Sequence, residues 1–355
     1  MWPSAIEKLK CPKDRGALEL RVEREEVDGH VMEGRLECSL CGTVYSIREG
    51  IPHLLPTELA SVNGQSLASL QTATIERFGF EWRYFKDWGW LTEYPDVKNA
   101  EEKFFGSLLE NSEKAFWSKS LFQKEELHSG LTVLDAGCGN GRFTYQAAQT
   151  GAEVFGIDLG WGVQSAFEHM RSLPKVHVLQ GDLFRLPFAP ATFDRVFSIG
   201  VLMHTGNGGA AFDSLVRTLK PGGLIMARVY GMGCYSYEFI DRTLRSLTTR
   251  MPISAQIHFA RATASMARWL RSRRQRLYAK LFRHINLLPT DHHMFDWWSA
   301  PIATHHTLEE VESWFARNGI EVVRSFPAHG DAAAERYRRN IHGAITVLGR
   351  LGGHV

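Results

Sequence analysis

Four apolar segments in the middle of the chain each end in a carboxylate or a glycine, and helix-like stretches lie between them. The segments are 132–135, 153–158, 176–182 and 193–200. Apolar runs of this length are typical of strands that are buried on both faces of a parallel sheet. The pattern therefore predicts an α/β fold in which parallel strands alternate with helices.

The C-terminal half of the chain extends this sheet. The turn residues at 220–223 precede an apolar run at 224–229, which predicts a fifth strand. Two further runs, at 320–325 and 341–348, predict strands six and seven. We therefore expect a seven-stranded, mostly parallel, Rossmann-like sheet.

Three glycines on alternate positions follow the first strand. Gly137, Gly139 and Gly141 come just after Asp135, at the end of the strand where open α/β sheets bind ligands. Glycines there allow a tight turn and a close approach of the ligand to the backbone. A nicotinamide dehydrogenase would also have a glycine loop, but its spacing is G-x-G-x-x-G, whereas this chain has G-x-G-x-G. The dehydrogenase interpretation is therefore the less favoured one.

Acidic residues also follow the second and third strands, at Asp158 and Asp182. A D-x-G-x-G-x-G loop followed by these two acids resembles the class I S-adenosylmethionine-dependent methyltransferases. In that family the loop contacts the methionine end of the cofactor, the second acid holds the ribose and the third contacts the adenine. The resemblance implies cofactor contacts at Asp135, Gly137, Gly139, Gly141, Asp158, Leu159, Asp182, Leu183, Ser198 and Ile199.

The N-terminal residues have the two-knuckle spacing of a zinc ribbon. The candidate ligands are Cys11, Asp14, Cys38 and Cys41, with Asp14 at the position of a second cysteine. Because carboxylates and histidines also bind zinc, both a Cys3Asp site and a Cys3His site with His30 remain open, as does a ribbon that has lost its metal. The segment resembles the small zinc-ribbon partner subunits of tRNA and release-factor methyltransferases.

Composition and charge place few limits on the partners of the chain. It has 355 residues, 44% of them hydrophobic, and five cysteines, which fits one large α/β domain with small additions. No apolar run approaches the roughly 20 residues of a membrane span, and no signal peptide is evident, so we expect a cytoplasmic protein. The net charge of +2 is close to neutral.

One segment nevertheless has a strong local charge. Residues 242–290 contain eleven Arg or Lys and no Asp or Glu. The segment lies in an expected helical insert after strand five, over 235–290. Four interpretations remain open: a solvated helical cap, a lid over an anionic small substrate, an RNA-binding helix, and a membrane-surface helix. The possible partner of this region is thus RNA or another anionic surface.

Candidate catalytic residues follow strands four and five. His204 suits a general base but could instead hold a loop, and Tyr230 could orient the acceptor or serve in packing. Asp296 and His305 belong to a His- and aromatic-rich stretch that we interpret as a wall of the substrate pocket. An aromatic cluster at 78–90 is either a lid over the cofactor or packing between domains.

These observations predict four parts. They are a zinc-ribbon-like domain at 1–57, a linker and lid at 58–130, a cofactor-binding core at 131–234 and 291–355, and the basic cap at 235–290. The expected function is methyl transfer from S-adenosylmethionine to O, N or C of a small molecule or biosynthetic intermediate. The alternatives are an RNA base methyltransferase and a non-catalytic binding subunit that retains the fold.

Overall fold

Eleven strands form one continuous sheet in the computed structural model of this chain. The structure describes residues 1–26, 28–55, 67–92, 108–327 and 343–353. The strands are β1 (Leu18–Glu25), β2 (Val31–Cys38), β3 (Val44–Arg48), β4 (Ile51–Leu54), β5 (Thr132–Ala136), β6 (Glu153–Asp158), β7 (Val176–Gly181), β8 (Phe193–Ile199), β9 (Leu219–Tyr230), β10 (Ile320–Phe326) and β11 (Ala344–Leu351).

The α-helices of the described residues lie between these strands and above their carboxyl ends. They are α1 (Leu67–Tyr84), α2 (Leu109–Ser120), α3 (Arg142–Ala148), α4 (Gly162–Met170), α5 (Gly208–Val216), α6 (Tyr235–Thr248), α7 (Ile253–Arg273), α8 (Gln275–Ile285), α9 (Asp291–Ser299) and α10 (Leu308–Arg317). Within the part of the chain that the structure describes, no helix is both long and apolar enough to cross a bilayer.

The seven C-terminal strands have the order β7-β6-β5-β8-β9-β11-β10, with β5 at the centre. Strands β5 to β9 run parallel to one another, and β11 is antiparallel to both β9 and β10. Every residue of β5 and β7 is buried, which explains why their sequences are continuous apolar runs. The predicted mostly parallel α/β sheet is therefore present.

The expectation of a seven-stranded sheet with a separate ribbon domain is wrong in its strand count. Strands β1 to β4 form an antiparallel meander, and β4 pairs in parallel with β7, so the sheet has eleven strands. The pairing joins His53 to Gln180 and Leu54 to Gly181. It arises because β7 would otherwise be an edge strand with unpaired backbone groups.

Two strand boundaries differ from the predicted ones. β9 begins at Leu219 rather than at 224, because the turn residues 220–223 are part of an irregular start of the strand. β11 begins at Ala344, and the expected start at 341 lies outside the described residues. Two parts of the expected linker and lid, 58–66 and 93–107, also lie outside them.

Helices α6 to α8 lie in the segment where the cap is expected, 235–290, and α9, from the stretch expected in the core, packs with them around a common apolar interior. Ile257, Ala260 and Ala264 of α7 belong to one buried cluster with Phe295 and Trp298 of α9. The basic segment is divided between two helices, because α7 ends at Arg273 and α8 begins at Gln275.

Candidate functional site

A cavity of about 370 Å³ lies at the carboxyl ends of the parallel strands, beneath α1 and α9. Its volume falls in the range of small-molecule sites. Of the residues predicted from the sequence, those that line it are Gly137, Gly139, Asp158, Leu159, Asp182, Leu183, Ile199, His204, Tyr230 and Asp296. Asp135, Gly141, Ser198 and His305 are not on its wall.

The glycine loop leaves no room for side chains at two of its positions. A Cβ on Gly137, whose φ is +91°, would lie 2.2 Å from Cγ2 of Val201. A Cβ on Gly139, whose φ is +55°, would lie 2.9 Å from Cε2 of Trp82. Both glycines line the cavity, so the loop presents bare backbone to whatever the cavity holds.

Asp158 and Asp182 place carboxylate oxygens on the cavity wall. The backbone N–H groups of Gly139 and Gly160 donate to Asp158 at 2.9 and 2.8 Å. The N–H of Phe184 donates to Asp182 at 3.0 Å. Burial raises the pKa of both carboxyls, against the effect of these hydrogen bonds. Carboxylates held in this way have lone pairs left for the hydroxyl or amine donors of a ligand.

Asp135 and Ser198 support the loop from behind the cavity. The hydroxyl of Thr144 donates to Asp135 at 2.7 Å, and burial raises the pKa of Asp135 to about 7. The hydroxyl of Ser198 donates to the carbonyl of Ala136 at 2.8 Å. Neither side chain reaches the cavity, so each acts on the geometry of the loop.

His204 lies between the rings of Phe78 and Tyr230, at centroid distances of 4.8 and 5.4 Å. Its Nδ1 is 2.6 Å from the carbonyl oxygen of Ile302, which can only accept, so the proton resides on Nδ1. Among the described residues, Nε2 has no hydrogen-bond partner. Burial lowers the pKa of His204 to about 3, and Nε2 is therefore an unprotonated acceptor.

Tyr230 and Asp296 lie on the same side of the cavity as His204. The ring of Tyr230 packs 4.6 Å from that of Trp297, and burial raises the pKa of its hydroxyl well above the usual value. Burial also raises the pKa of Asp296 to about 6, although nearby Arg142 opposes the shift. These groups can therefore contact a substrate as proton donors or acceptors.

His305 lies behind this wall, in a network that ties the cap to the core. Its Nδ1 is 2.6 Å from Oε2 of Glu238 in α6. Asp241 of the same helix accepts a hydrogen bond from Trp297 at 3.0 Å and pairs with Arg245. His305, which the sequence interpretation proposed as a catalytic residue, thus contacts Glu238 and does not line the cavity.

The aromatic cluster at 78–90 divides between the two roles considered for it. Phe78 and Trp82 line the cavity. The rings of Phe80 and Phe85 instead pack against the ring of Phe295 of α9, at centroid distances of 5.5 and 6.4 Å. Phe80 and Phe85 therefore pack against α9, whereas Phe78 and Trp82 have the position expected of a lid.

Three cationic side chains on the cavity wall were missed by the sequence interpretation. Lys119 comes from α2, Arg142 from the start of α3 and Arg228 from β9. Arg142 alone had a visible signal, because it directly follows the last glycine of the loop. The convergence of the other two depends on how α2 packs against β9.

The four predicted metal ligands lie together in the N-terminal meander. The ligand atoms of Cys11, Asp14, Cys38 and Cys41 are all within 4.8 Å of one another. The Cys11 and Cys41 sulfurs are 3.8 Å apart, and ligands about 2.3 Å from a tetrahedral zinc ion are separated by about the same distance. His30 is remote from them, since its ring packs against Trp2 and Phe167, so the Cys3His alternative is wrong. The residues present fit a Cys3Asp zinc site.

Two family profiles match the chain. Residues 134–227 match the family described as methyltransferase domain, and residues 6–50 match the family described as Trm112p-like protein. The two matched regions correspond to the strands around the cavity and to the meander with the cysteines.

Curated relatives match parts of this chain. A sterol 24-C-methyltransferase from Pneumocystis carinii is 29% identical, over 39% of this chain and 37% of the relative. A demethylmenaquinone methyltransferase from Corynebacterium kroppenstedtii is 32% identical, over 38% of this chain and 58% of the relative. A tRNA U34 carboxymethyltransferase from Ruthia magnifica is 38% identical, over 26% of this chain and 30% of the relative. The chain thus spans less than two thirds of the length of each of these relatives.

Proposed function

We propose that this chain, which carries a class I S-adenosylmethionine-dependent methyltransferase domain joined to a Trm112p-like domain, transfers a methyl group to an acceptor bound in the cavity. The observation that carries the proposal is the set of cavity-facing groups at the ends of three adjacent strands. These are the bare backbone of Gly137 and Gly139 and the carboxylates of Asp158 and Asp182. S-adenosylmethionine supplies a methyl group activated by a positively charged sulfur.

We assign polar contacts with the cofactor to the acidic residues of the cavity and apolar contacts to its aliphatic residues. Asp158 would accept hydrogen bonds from ribose hydroxyls, and Asp182 would accept one from the adenine amine. Leu159, Leu183 and Ile199 supply apolar walls. Holding two reactants in line can supply much of the acceleration of a displacement reaction, so a rigid cavity matters more here than a catalytic triad.

We assign to His204 the role of accepting a hydrogen bond from the methyl acceptor at Nε2. Because burial lowers its pKa to about 3, it is a weak base at neutral pH, and we do not assign it the general-base role expected from the sequence. Its Nδ1–H is held by the carbonyl of Ile302, and its Nε2 lone pair has no partner among the described residues. Tyr230 and Asp296 would orient the acceptor beside it. The alternative is that His204 only holds the loop after β8.

The first test is cofactor binding measured by isothermal titration calorimetry. We expect saturable heat with S-adenosylmethionine and none with NAD. Asp158→Ala should weaken binding by at least about 30-fold, because about 2 kcal/mol of charge-assisted hydrogen bonding is lost. Asp213→Ala is the control. Asp213 is on α5, pairs with Arg317 of α10 and does not line the cavity. Unchanged affinity in Asp158→Ala would refute the ribose assignment.

A small molecule or biosynthetic intermediate is the acceptor that best suits an enclosed cavity. Phe78 and Trp82 of α1 cover it from above, and residues of α9 close one side. An enclosed site of this volume accommodates a small acceptor more readily than a folded macromolecule. Binding of S-adenosylmethionine without methyl transfer to any acceptor would instead favour a non-catalytic binding subunit.

An RNA base methyltransferase is the second candidate. The segment 242–290, which has eleven basic and no acidic residues, supports it. Exposed Arg273 and Arg274 lie at the break between α7 and α8. RNA binding should weaken steeply with added salt and should depend on this pair. Binding that is absent or insensitive to salt would remove this candidate.

We also propose that the cysteine-containing part, 1–57, is a zinc-ribbon-like domain and that Cys11, Asp14, Cys38 and Cys41 hold its zinc ion. The other proposed parts are the linker and lid at 58–130, the core at 131–234 and 291–355, and the cap at 235–290. A zinc ion would cross-link β2 to the turn before β1, which suits a small domain whose own core is limited.

A further inference from the structure

Lys119, Arg142 and Arg228 converge on one side of the cavity. They come from three different elements, α2, α3 and β9, and all three side chains line the cavity wall. Cationic side chains are expensive to place together in an enclosed space, because they repel one another and lose hydration. Their convergence therefore needs an explanation beyond packing.

The described residues compensate the charges of Lys119 and Arg142 incompletely. The field of Asp296 acts on both Lys119 and Arg142, and the field of Glu81 also acts on Arg142. Neither Lys119 nor Arg142 forms an ion pair or a side-chain hydrogen bond with another described residue. Both instead lie near the Phe143 ring, at 5.5 Å for Lys119 and 4.6 Å for Arg142. Arg228 donates a hydrogen bond to the hydroxyl of Thr346 at 2.8 Å. Lys119 and Arg142 therefore lie near the carboxyl groups of Asp296 and Glu81 without pairing directly with either of them.

We propose that Lys119 and Arg228, with Arg142 beside them, form a subsite for an oxyanion of the methyl acceptor, a carboxylate or a phosphate. The inference rests on the proposed function, since it names the class of acceptor for the same cavity. Guanidinium groups bind such oxyanions through paired hydrogen bonds, and an ammonium group adds a point charge. The rings of Phe143 and Tyr230 supply flat apolar surface for the body of the acceptor.

The carboxylate of the cofactor is the other possible oxyanion, and the sheet topology separates the two. Arg228 is on β9, three strands away from β6, whose last residue is Asp158. At about 4.8 Å between neighbouring strands, the strand of Arg228 lies about 14 Å from that of Asp158. Lys119 is on α2, which packs against β9 and β11. Arg142 is next to the glycine loop, so the test depends on Lys119 and Arg228.

The environment of Lys119 gives the subsite a pH signature. Among the described residues, the charged or titratable groups that face it are Arg142 of α3, Arg228 of β9, and His292, His293 and Asp296 of α9. Burial, followed by the two guanidinium groups, lowers the pKa of Lys119 to about 7. An oxyanion beside the amine would raise this pKa again, so binding should take up a proton. Affinity should therefore fall as the pH rises above 7.

The experiment titrates benzoate, phenylphosphonate and neutral benzamide into the full chain saturated with S-adenosylhomocysteine. We expect both anions to bind at least 10-fold more tightly than benzamide at pH 6.5, and the affinity for benzoate to fall up to 10-fold between pH 7 and pH 8. Lys119→Met should weaken benzoate at least 10-fold and leave the affinity for S-adenosylhomocysteine unchanged. Lys114→Met is the matched control, because Lys114 is exposed on the same helix and pairs with Glu110. Arg228→Gln is the second variant and should act as Lys119→Met does.

Three results would overturn the inference. The first is benzoate affinity that persists in both variants, and the second is no preference for the anions over benzamide. The third is an equal loss of S-adenosylhomocysteine affinity in Lys119→Met, which would mean that the cations hold the carboxylate of the cofactor. If the wild-type chain does not bind S-adenosylhomocysteine, the proposed function fails instead. The same benzoate titrations without cofactor then decide whether the oxyanion subsite exists.

Discussion

The Nδ1 atom of His53 lies 2.5 Å from Oε1 of Gln180, and this contact links the cysteine-containing meander to the wall of the cavity. The amide nitrogen of Gln180 donates in turn to the carbonyl of Leu159 at 3.0 Å. Leu159 lines the cavity directly after Asp158. A chain of two hydrogen bonds therefore runs from β4 to the residue next to the proposed ribose acid.

His53→Ala should weaken S-adenosylmethionine binding by about 3- to 10-fold. Loss of the contact leaves Oε1 of Gln180 without its partner and weakens the positioning of the amide that donates to the carbonyl of Leu159, at a cost of about 1 kcal/mol. Calorimetry measures the effect, and Leu40→Ala is the control because Leu40 is 72% exposed in the same meander. Equal affinities for His53→Ala and the wild type would show that the meander does not act on the cofactor site.

Gly137→Ala should destabilise the folded chain by about 2 to 4 kcal/mol and abolish cofactor binding. The new Cβ would collide with Val201 and would require a left-handed backbone conformation. The double variant Gly137→Ala/Val201→Ala should recover part of the stability, since the collision is relieved but the backbone strain remains. Denaturant titration measures both variants, and an undisturbed Gly137→Ala would contradict the close packing of the loop.

Protonation of His204 should oppose folding at acidic pH. Its pKa is about 3 in the folded chain and near 6.5 when unfolded, so only the unfolded chain binds this proton between those values. The wild type should therefore lose stability relative to His204→Gln as the pH falls below 6.5, by at most about 1.4 kcal/mol per pH unit. Unfolding titrations at pH 7.5, 6.5 and 5.5 test this, and parallel curves for the two proteins would exclude a neutral buried imidazole.

Metal content decides the role of the four ligands in the meander. We expect about one zinc ion per wild-type chain by elemental analysis, a much lower content in Cys38→Ser, and a lower melting temperature after chelation. Cys234→Ser is the control, because Cys234 precedes α6 and contacts Ser236 there. A wild-type chain that contains no metal even after refolding with zinc would support the interpretation that the ribbon has lost it.

The strands around the cavity could be predicted because a strand that is buried on both faces is a continuous apolar run in the sequence. The residues of β5 and β7 are all buried, and each strand is followed by a turn that carries an acid or a glycine. The sequence interpretation therefore placed the glycine loop, Asp158 and Asp182 correctly, at the carboxyl ends of the parallel strands. Their proposed contacts with a cofactor stay predictions.

Other parts of the site have no comparable pattern in the sequence. Lys119 belongs to a helix whose position on β9 follows from packing, so its neighbours at Arg142 and Arg228 cannot be inferred from spacing. The pairing of β4 with β7 uses backbone groups, which have no side-chain signature. His305 was interpreted as a pocket residue because it lies in a His-rich stretch, yet its partner is Glu238 of the cap.

The parallel pairing of β4 with β7 also has a consequence for solubility. Without residues 1–55, one side of β7 would expose a row of unpaired amide and carbonyl groups on an apolar strand. Such bare edges recruit strands from neighbouring molecules. The meander thus protects the sheet against self-association, and a truncated core should aggregate even if its cofactor loop is intact.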